Sequence, residues 1–519
     1  MALLLLILTA YFVARYQFRE TVLIRDEGNF THAAQRVLDG GIPYRDVYVL
    51  KTPFVIYFMA AVEYAAGSSL AAIRVATSVY GLATTCLLYL FMRRSFGRAA
   101  GLFAALAFAL MTLNESTIVH SASAEFFMLF WVAAAVGSWI YAPRRDNPWL
   151  LLLAGIAAGM AYQCKQSGSM VLIFLLAEIA WRKLLSPPDQ PMRPAQIVEQ
   201  ATLAMIGFGL VTVATLLFFA WQGALSQYVE CTWTSIGSYV GGRSLDVASI
   251  VSRFQLILRD SIKQDISLWV LGVIGALIPI FRRRESSAHG LWLLLAGSAG
   301  MAIIAGQSYR QYFDLLFLPL AVGCGIAAGR LWRAVINPRA GIPRRVICAV
   351  LLVLAWVGPV HQAIRLLSLP DDQKVALMRG LRPFDTSQQV AAYLADKIAP
   401  DECLFILGSE PQIYFYAERR NCSRLVLTYP LTGPYDYAAT LQQEFINDLV
   451  ENRPPYVLLV NMEASLGEFP VLTRQFLARI KPVLNELYEF ESVFPPTSGD
   501  SAQPSGNSAA VFHIWRRNY

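Results

Sequence analysis

The chain has 519 residues, 56% of them hydrophobic and 15% charged, against roughly 25% charged residues in a soluble domain. Apolar runs long enough to span a bilayer core of about 30 Å recur down to about residue 365, which excludes a soluble globular protein and makes this a polytopic membrane protein. The net charge of +7 does not mark a nucleic-acid binder, because the arginines gather in alternate short loops, the positive-inside pattern.

The first run, residues 2–13, has almost no basic segment before it and no clear small-residue cleavage site before Arg15, so it reads as a retained helix. Membrane helices are expected at about 2–16, 70–92, 99–114, 124–141, 148–163, 167–184, 200–221, 266–281, 290–306, 311–330 and 346–365, about eleven in all. With that count five basic clusters share one face: Arg93/Arg94/Arg98, Arg144/Arg145, Arg182/Lys183/Arg193, Arg282/Arg283/Arg284 and Arg330/Arg333/Arg339/Arg344/Arg345. The loops 17–69 and 222–265 and the C-terminal residues then share the other. Residues 54–67 are apolar but short and contain Glu63. They read as a membrane-surface helix, since a full span there would put every later basic loop on the wrong side relative to the first. Glu63 and Arg74 mark the membrane interface, and Glu178 reads as a surface partner of Arg182, one helical turn on.

Beyond about residue 366 the composition changes. Helical patterns at 387–398 and 438–452 alternate with short apolar strands at 404–407, 425–427 and 457–460, with a last strand at 511–515. That alternation predicts a small α/β domain with a largely parallel sheet. The expected division is a membrane domain over 1–365 and a soluble domain over 366–519, with a polar loop at 496–508. The seven cysteines show no CxxC spacing and imply neither a zinc site nor a disulfide framework. Cys403 and Cys422 share the C-terminal domain and would pair if that domain lies in an oxidising compartment. Asn29, Asn114 and Asn421 head glycosylation sequons, a pattern frequent by chance.

Residues 25–53, RDEGNFTHAAQRVLDGGIPYRDVYVLKTP, carry more chemistry than a connector needs. Phe30, Ala33, Ala34, Val37 and Leu38 lie on one helical face, and Gly40-Gly41 with Pro43 ends the helix. Such a helix is expected to lie in the membrane interface, apolar face down. Asp26 and Glu27 stand at its start. Two readings fit them: a cap with a dipole-favouring neighbour, or a carboxylate that takes a proton from a hydroxyl while the reacting group stays anchored in lipid. Asp46 and Lys51 are likewise either interface charges or, for Lys51, a contact to a lipid phosphate. Gly408-Ser409-Glu410-Pro411 follows a strand, where a ligand is plausible; no GxGxxG is present.

The stretch 26–58 resembles the first extracytoplasmic loop of GT-C superfamily glycosyltransferases, nearest to the protein O-mannosyltransferase-like and the aminoarabinose or galacturonic acid transferase-like enzymes. Residues 162–167 (YQCKQS), 309–319 (YRQYFDLLFLP) and 401–416 (DECLFILGSEPQIYFY) are similar to further segments of the family. The resemblance implies a GT-C membrane fold and an inverting enzyme that takes a sugar from a polyprenyl-phosphate carrier and hands it to a glycan, lipid or protein acceptor. It implies Asp26 as catalytic carboxylate with Glu27 beside it, and Lys51, joined by Lys165 and Arg310, at the donor phosphate. Tyr44, Asp46, His120, Glu125, Tyr309 and Tyr312 are further candidates to bind substrate. Where the aminoarabinose enzymes have a glutamate before the lysine this chain has Leu50, so no obligatory metal and no cofactor are expected. Where they have an arginine three residues after the aspartate it has Asn29. A bacterial inner-membrane location is implied, with the site extracytoplasmic. The rivals are a transporter or flippase for lipid-linked sugars, which calls for charged or broken helices near the bilayer midplane, and a binding subunit that has lost activity.

Overall fold

A backbone in lipid must satisfy its own N–H and C=O groups, and the apolar runs of this chain accordingly fold as helices. The computed structural model describes residues 2–113, 122–145, 147–185, 193–241, 247–281, 297–298, 310–370, 373–374, 383–494 and 511–518. Among them, Leu70–Phe96, Pro194–Trp221, Gln311–Ile336 and Ile342–Leu367 are long and apolar enough to cross a bilayer, and a bent pair within Val247–Phe281, broken at Asp265, is a further candidate. Shorter apolar helices of 10–17 residues include Ala2–Tyr16 (α1), Arg98–Met111 and Trp149–Cys164. Every expected span falls on a helix except 290–306, which lies almost wholly outside the described residues. The 222–265 stretch, expected as a loop, is largely helical, with helices at Leu225–Val229 and Ser235–Gly241 and the first half of Val247–Phe281. Its scattered charges hide that helix from a hydropathy criterion.

The residues group into two compact units. The first comprises Met1–Thr21, Ala71–Leu217 and Leu245–Lys374. Its most buried helix, Asp314–Ile336, packs on Arg98–Met111 and on the kinked helix. The second crossing is made possible by small residues: a Cβ at Gly275 would sit 1.8 Å from the Gly323 carbonyl oxygen. Two arginines are buried here. Arg15 Nε donates to Ser78 Oγ (3.3 Å) and lies over the Phe126 ring, and Arg74 donates to the Thr21 carbonyl. Arg74 is thus an internal tie rather than an interface marker, and Glu178 is buried rather than at the surface.

The second unit comprises Val22–Leu70, Phe218–Ser244 and Val375–Tyr519. The first loop and the C-terminal residues therefore belong to one body. Its five-stranded sheet has the order β2-β1-β3-β5-β4, with β1 Cys403–Leu407, β2 Arg420–Asn421, β3 Tyr456–Val460, β4 Tyr488–Phe494 and β5 Phe512–Arg517. β1 pairs parallel to β2 and β3, but β5 runs antiparallel to both β3 and β4, so the sheet is mixed rather than largely parallel. Residues 425–427, expected as a strand, are buried without joining the sheet; their apolar character reflects burial alone.

Cys403 and Cys422 are bonded, with Cα atoms 5.1 Å apart and a sequence separation of 19. The bridge ties β1 to the segment after β2. Replacing both by serine is expected to cost about 3 kcal/mol, the chain-entropy value for a loop of this size. Thermal unfolding in detergent with and without reductant checks it: the parent should melt lower when reduced, and the serine variant should not respond.

Candidate active site

The helix α2, Arg25–Leu38, begins after Ile24 and carries Arg25, Asp26 and Glu27 in its first turn. The two acids have different fates. Glu27 is fully buried, and its Oε2 accepts the Ile24 N–H at 3.0 Å, the reach-back half of a capping box. Asp26 is partly exposed, and among the described residues its carboxylate accepts no hydrogen bond. Glu27, expected beside the catalytic group, is thus the cap, and Asp26, expected on one reading as the cap, is left open.

Both faces of α2 are covered by protein, so it does not lie on the membrane with its polar face in water. It packs on α3, Phe54–Ala66, and on the helix Gln412–Ala417. Gly28 makes the second contact possible, since a Cβ there would sit 2.3 Å from the Gln412 backbone nitrogen. His32 stacks on Tyr414 (4.8 Å between centroids) and shares a 2.8 Å hydrogen bond with Asn421 Oδ1. Burial pushes the His32 imidazole down to about 4, with the Asn421 bond opposing it, so His32 is neutral at neutral pH. Asn421 also donates to the Asp46 and Ser423 carbonyls, and Asn29 is buried, so neither of these sequons offers a free amide.

After Gly40-Gly41 the chain turns back towards α3. Asp46 accepts from the Ile42 N–H (2.7 Å) and from the Arg45 guanidinium (2.8 and 2.9 Å). Burial works against its charge, but those donors hold the Asp46 carboxyl below its ordinary range. Tyr44 adopts φ 74°, costly for a non-glycine residue. It is held there by burial against Phe219 and Tyr228 and by its hydroxyl, which donates to the Lys51 carbonyl at 2.9 Å. Tyr44 and Asp46, expected at the substrate, therefore build the turn. Tyr44 thereby holds the backbone of Lys51, whose partly exposed ammonium has no hydrogen-bond partner among the described residues. Leu50, buried and apolar, brings no oxygen ligand beside it.

Arg424 was not singled out by the sequence. It bonds Glu444 (2.6 and 3.0 Å), Glu230 (3.0 Å) and the Tyr44 carbonyl, joining all three segments of the second unit. Its acids stand 20 and 194 residues away, so no local pattern reveals the network. Glu63, expected to mark the membrane interface, is buried and accepts from Ser68 Oγ at 2.7 Å. A cavity of about 370 Å³ opens at the other end of α2, lined by Val37, Gly40, Gly41, Ile42, Tyr57, Trp221 and Gln222; no expected site residue lines it.

In the first unit the structure brings three expected site residues together. Lys165 pairs with Glu125, their side chains 10% and 2% exposed, and its ammonium lies 3.6 Å from the Tyr312 ring centroid. Asp314, also buried, is within electrostatic reach of Glu125 and Arg15. The charge of Lys165, expected at the donor phosphate, is already matched by Glu125. His120, Tyr309 and the side chain of Arg310 lie outside the described residues.

Residues 50–190 match the family model described as dolichyl-phosphate-mannose-protein mannosyltransferase. No curated protein sequence matches the chain. The crystal structure of ArnT from Cupriavidus metallidurans in the apo state is similar over 99% of this chain and 97% of its own, at 14% identity and TM-score 0.62. The same protein bound to undecaprenyl phosphate gives a TM-score of 0.56 at 14% identity, with the same coverage of both chains. The archaeal oligosaccharyltransferase AglB from Archaeoglobus fulgidus, in complex with an inhibitory peptide and a dolichol-phosphate, is similar over 88% of this chain and 69% of its own, at 12% identity and TM-score 0.56. Apolar helices, a helical first loop and a small C-terminal sheet thus assign this chain the GT-C fold of the membrane glycosyltransferases.

Proposed function

We propose that the chain is an inverting glycosyltransferase that moves a sugar from a polyprenyl-phosphate donor to an acceptor hydroxyl at the extracytoplasmic membrane face. The observation that carries this reading is Asp26. It is a partly exposed carboxylate without a hydrogen-bond partner among the described residues, on a helix whose neighbouring acid is fully engaged. Asp26 takes the proton of the acceptor hydroxyl as its oxygen attacks the anomeric carbon. The bond from that carbon to the phosphate oxygen breaks, and its electron pair leaves with the polyprenyl phosphate. One displacement inverts the anomeric centre and needs no covalent enzyme intermediate. Lys51 stabilises the charge growing on the phosphate. The lipids held by the two fold relatives, undecaprenyl phosphate and dolichol-phosphate, belong to the leaving-group class this reaction requires.

Two observations support the sidedness. The unit that holds 22–70, 218–244 and 375–519 unites stretches from the three regions that the arginines put on one face. The Cys403–Cys422 bond fits an oxidising compartment. In a bacterium this is the outer face of the inner membrane.

The test uses the full chain in proteoliposomes with undecaprenyl phosphates carrying radiolabelled mannose, galacturonic acid or 4-amino-4-deoxyarabinose, and a cell-envelope fraction from a deletion strain as acceptor. One donor is expected to give labelled product and free undecaprenyl phosphate. Label that crosses the membrane still on its lipid, with no product, sinks the enzyme in favour of a transporter. Mass spectrometry of envelope glycans from the deletion strain then identifies the missing sugar and its acceptor.

A further inference from the structure

Arg25 precedes Asp26 directly, and its guanidinium is held elsewhere. Its Nη2 donates to Glu410 Oε1 at 2.7 Å, and its Nε donates to the Ser409 carbonyl. Glu410 is wholly buried and its other oxygen is engaged as well: Oε2 accepts Gln412 Nε2 at 2.8 Å, and the same amide donates to Ser387 Oγ at 3.0 Å. Ser387 Oγ in turn donates to the Pro383 carbonyl at 2.9 Å. The Glu410 carboxylate therefore has a fixed orientation and, among the described residues, one ionic partner. The backbone around Arg25 is pinned in the same way, with the Leu23 N–H donating to the Tyr416 hydroxyl at 2.7 Å. The Gly-Ser-Glu-Pro turn after β1, noted in the sequence as a plausible ligand site, meets the start of α2 instead.

Arg25 and Asp26 are adjacent in the chain, so a long guanidinium side chain released at Arg25 has this carboxylate within reach. Arg25 lies within electrostatic reach of Asp26, and its side chain is 25% exposed. Paired with Asp26 it would cover the oxygens that must accept a proton and stabilise their charged form against protonation.

We propose that Glu410 is a positioning residue that sequesters the Arg25 guanidinium, leaving the Asp26 carboxylate open. The inference rests on the reading of Asp26 as the base and assigns the C-terminal domain a part in the reaction: it supplies the counter-charge that keeps the base free.

Two measurements on the full chain test it. The first is labelling of Asp26 by a water-soluble carbodiimide at pH 5, read by peptide mass spectrometry, which reports an accessible, protonatable carboxyl whatever the activity. Glu410→Gln is expected to lower labelling three- to tenfold, and Arg25→Gln/Glu410→Gln to restore it. The double variant buries no charge in this pair, so it keeps the test valid should the single one fold poorly. The second is turnover of the active undecaprenyl-phosphate sugar. Glu410→Gln is expected to lower kcat about tenfold at unchanged donor KM and to move the acid limb of the pH profile to lower pH; the double variant should recover most of kcat. Labelling in Glu410→Gln equal to the parent, or in the double variant as low as in the single one, overturns the inference. Undiminished transfer by Asp26→Asn overturns the base assignment alone, because the labelling result stands apart from it.

Discussion

An Asp26→Asn chain is expected to fold as its parent does and to lose sugar transfer by about 10³-fold, within the range for removing a general base. Stability should hold because the carboxylate accepts no hydrogen bond among the described residues, so nothing buried loses its partner. Rate should fall because an amide cannot accept the hydroxyl proton. The neighbour supplies the control. Glu27→Gln keeps an oxygen for the Ile24 N–H and should keep most of the rate, whereas Glu27→Ala removes the cap and should lower stability by about 1 kcal/mol. Donor turnover and thermal unfolding of the three variants, run side by side, decide the matter. If Glu27→Gln is as inactive as Asp26→Asn, the base role does not belong to Asp26 alone.

Lys165→Met is expected to be the most destabilising substitution among the expected site residues. It leaves Glu125 buried and without its cation, close to the Asp314 carboxyl. Breaking a buried pair from one side costs roughly 3–5 kcal/mol. Replacing both partners, as in Lys165→Met/Glu125→Leu, removes the uncompensated charge and should recover most of that loss. Thermal unfolding in detergent measures both. If Lys165→Met is as stable as its parent but slow with donor, the lysine serves a substrate phosphate rather than Glu125.

The acids at the start of α2 show where sequence reading reaches its limit. Periodicity placed the helix, and the Gly-Gly stop ended it, with Gly40 at φ 85°. But Asp26 and Glu27 are adjacent acids on the first turn, and the helix dipole favours both alike. Their roles separated only when Glu27 turned inward to the Ile24 N–H. Tyr44 and Asp46 were singled out through the family resemblance as substrate candidates, yet their partners turn out to be the chain itself. The last strand was expected and is β5, but β4, Tyr488–Phe494, was missed because glutamates and a serine interrupt its aromatic and apolar residues, so it reads as no apolar run.

By itself the sequence determined the membrane character and the helical first loop, because hydropathy and turn chemistry are local and additive along the chain, while Asp26 and Lys51 were singled out by the family resemblance. Only the tertiary structure decided that α2 is enclosed by α3 and the C-terminal domain, that Lys165 meets Glu125, and that Glu410 holds Arg25. These contacts join residues 40 positions apart in one case and 385 in the other. A charge shows in the sequence that it needs a partner; which partner it finds depends on which surfaces the fold brings together.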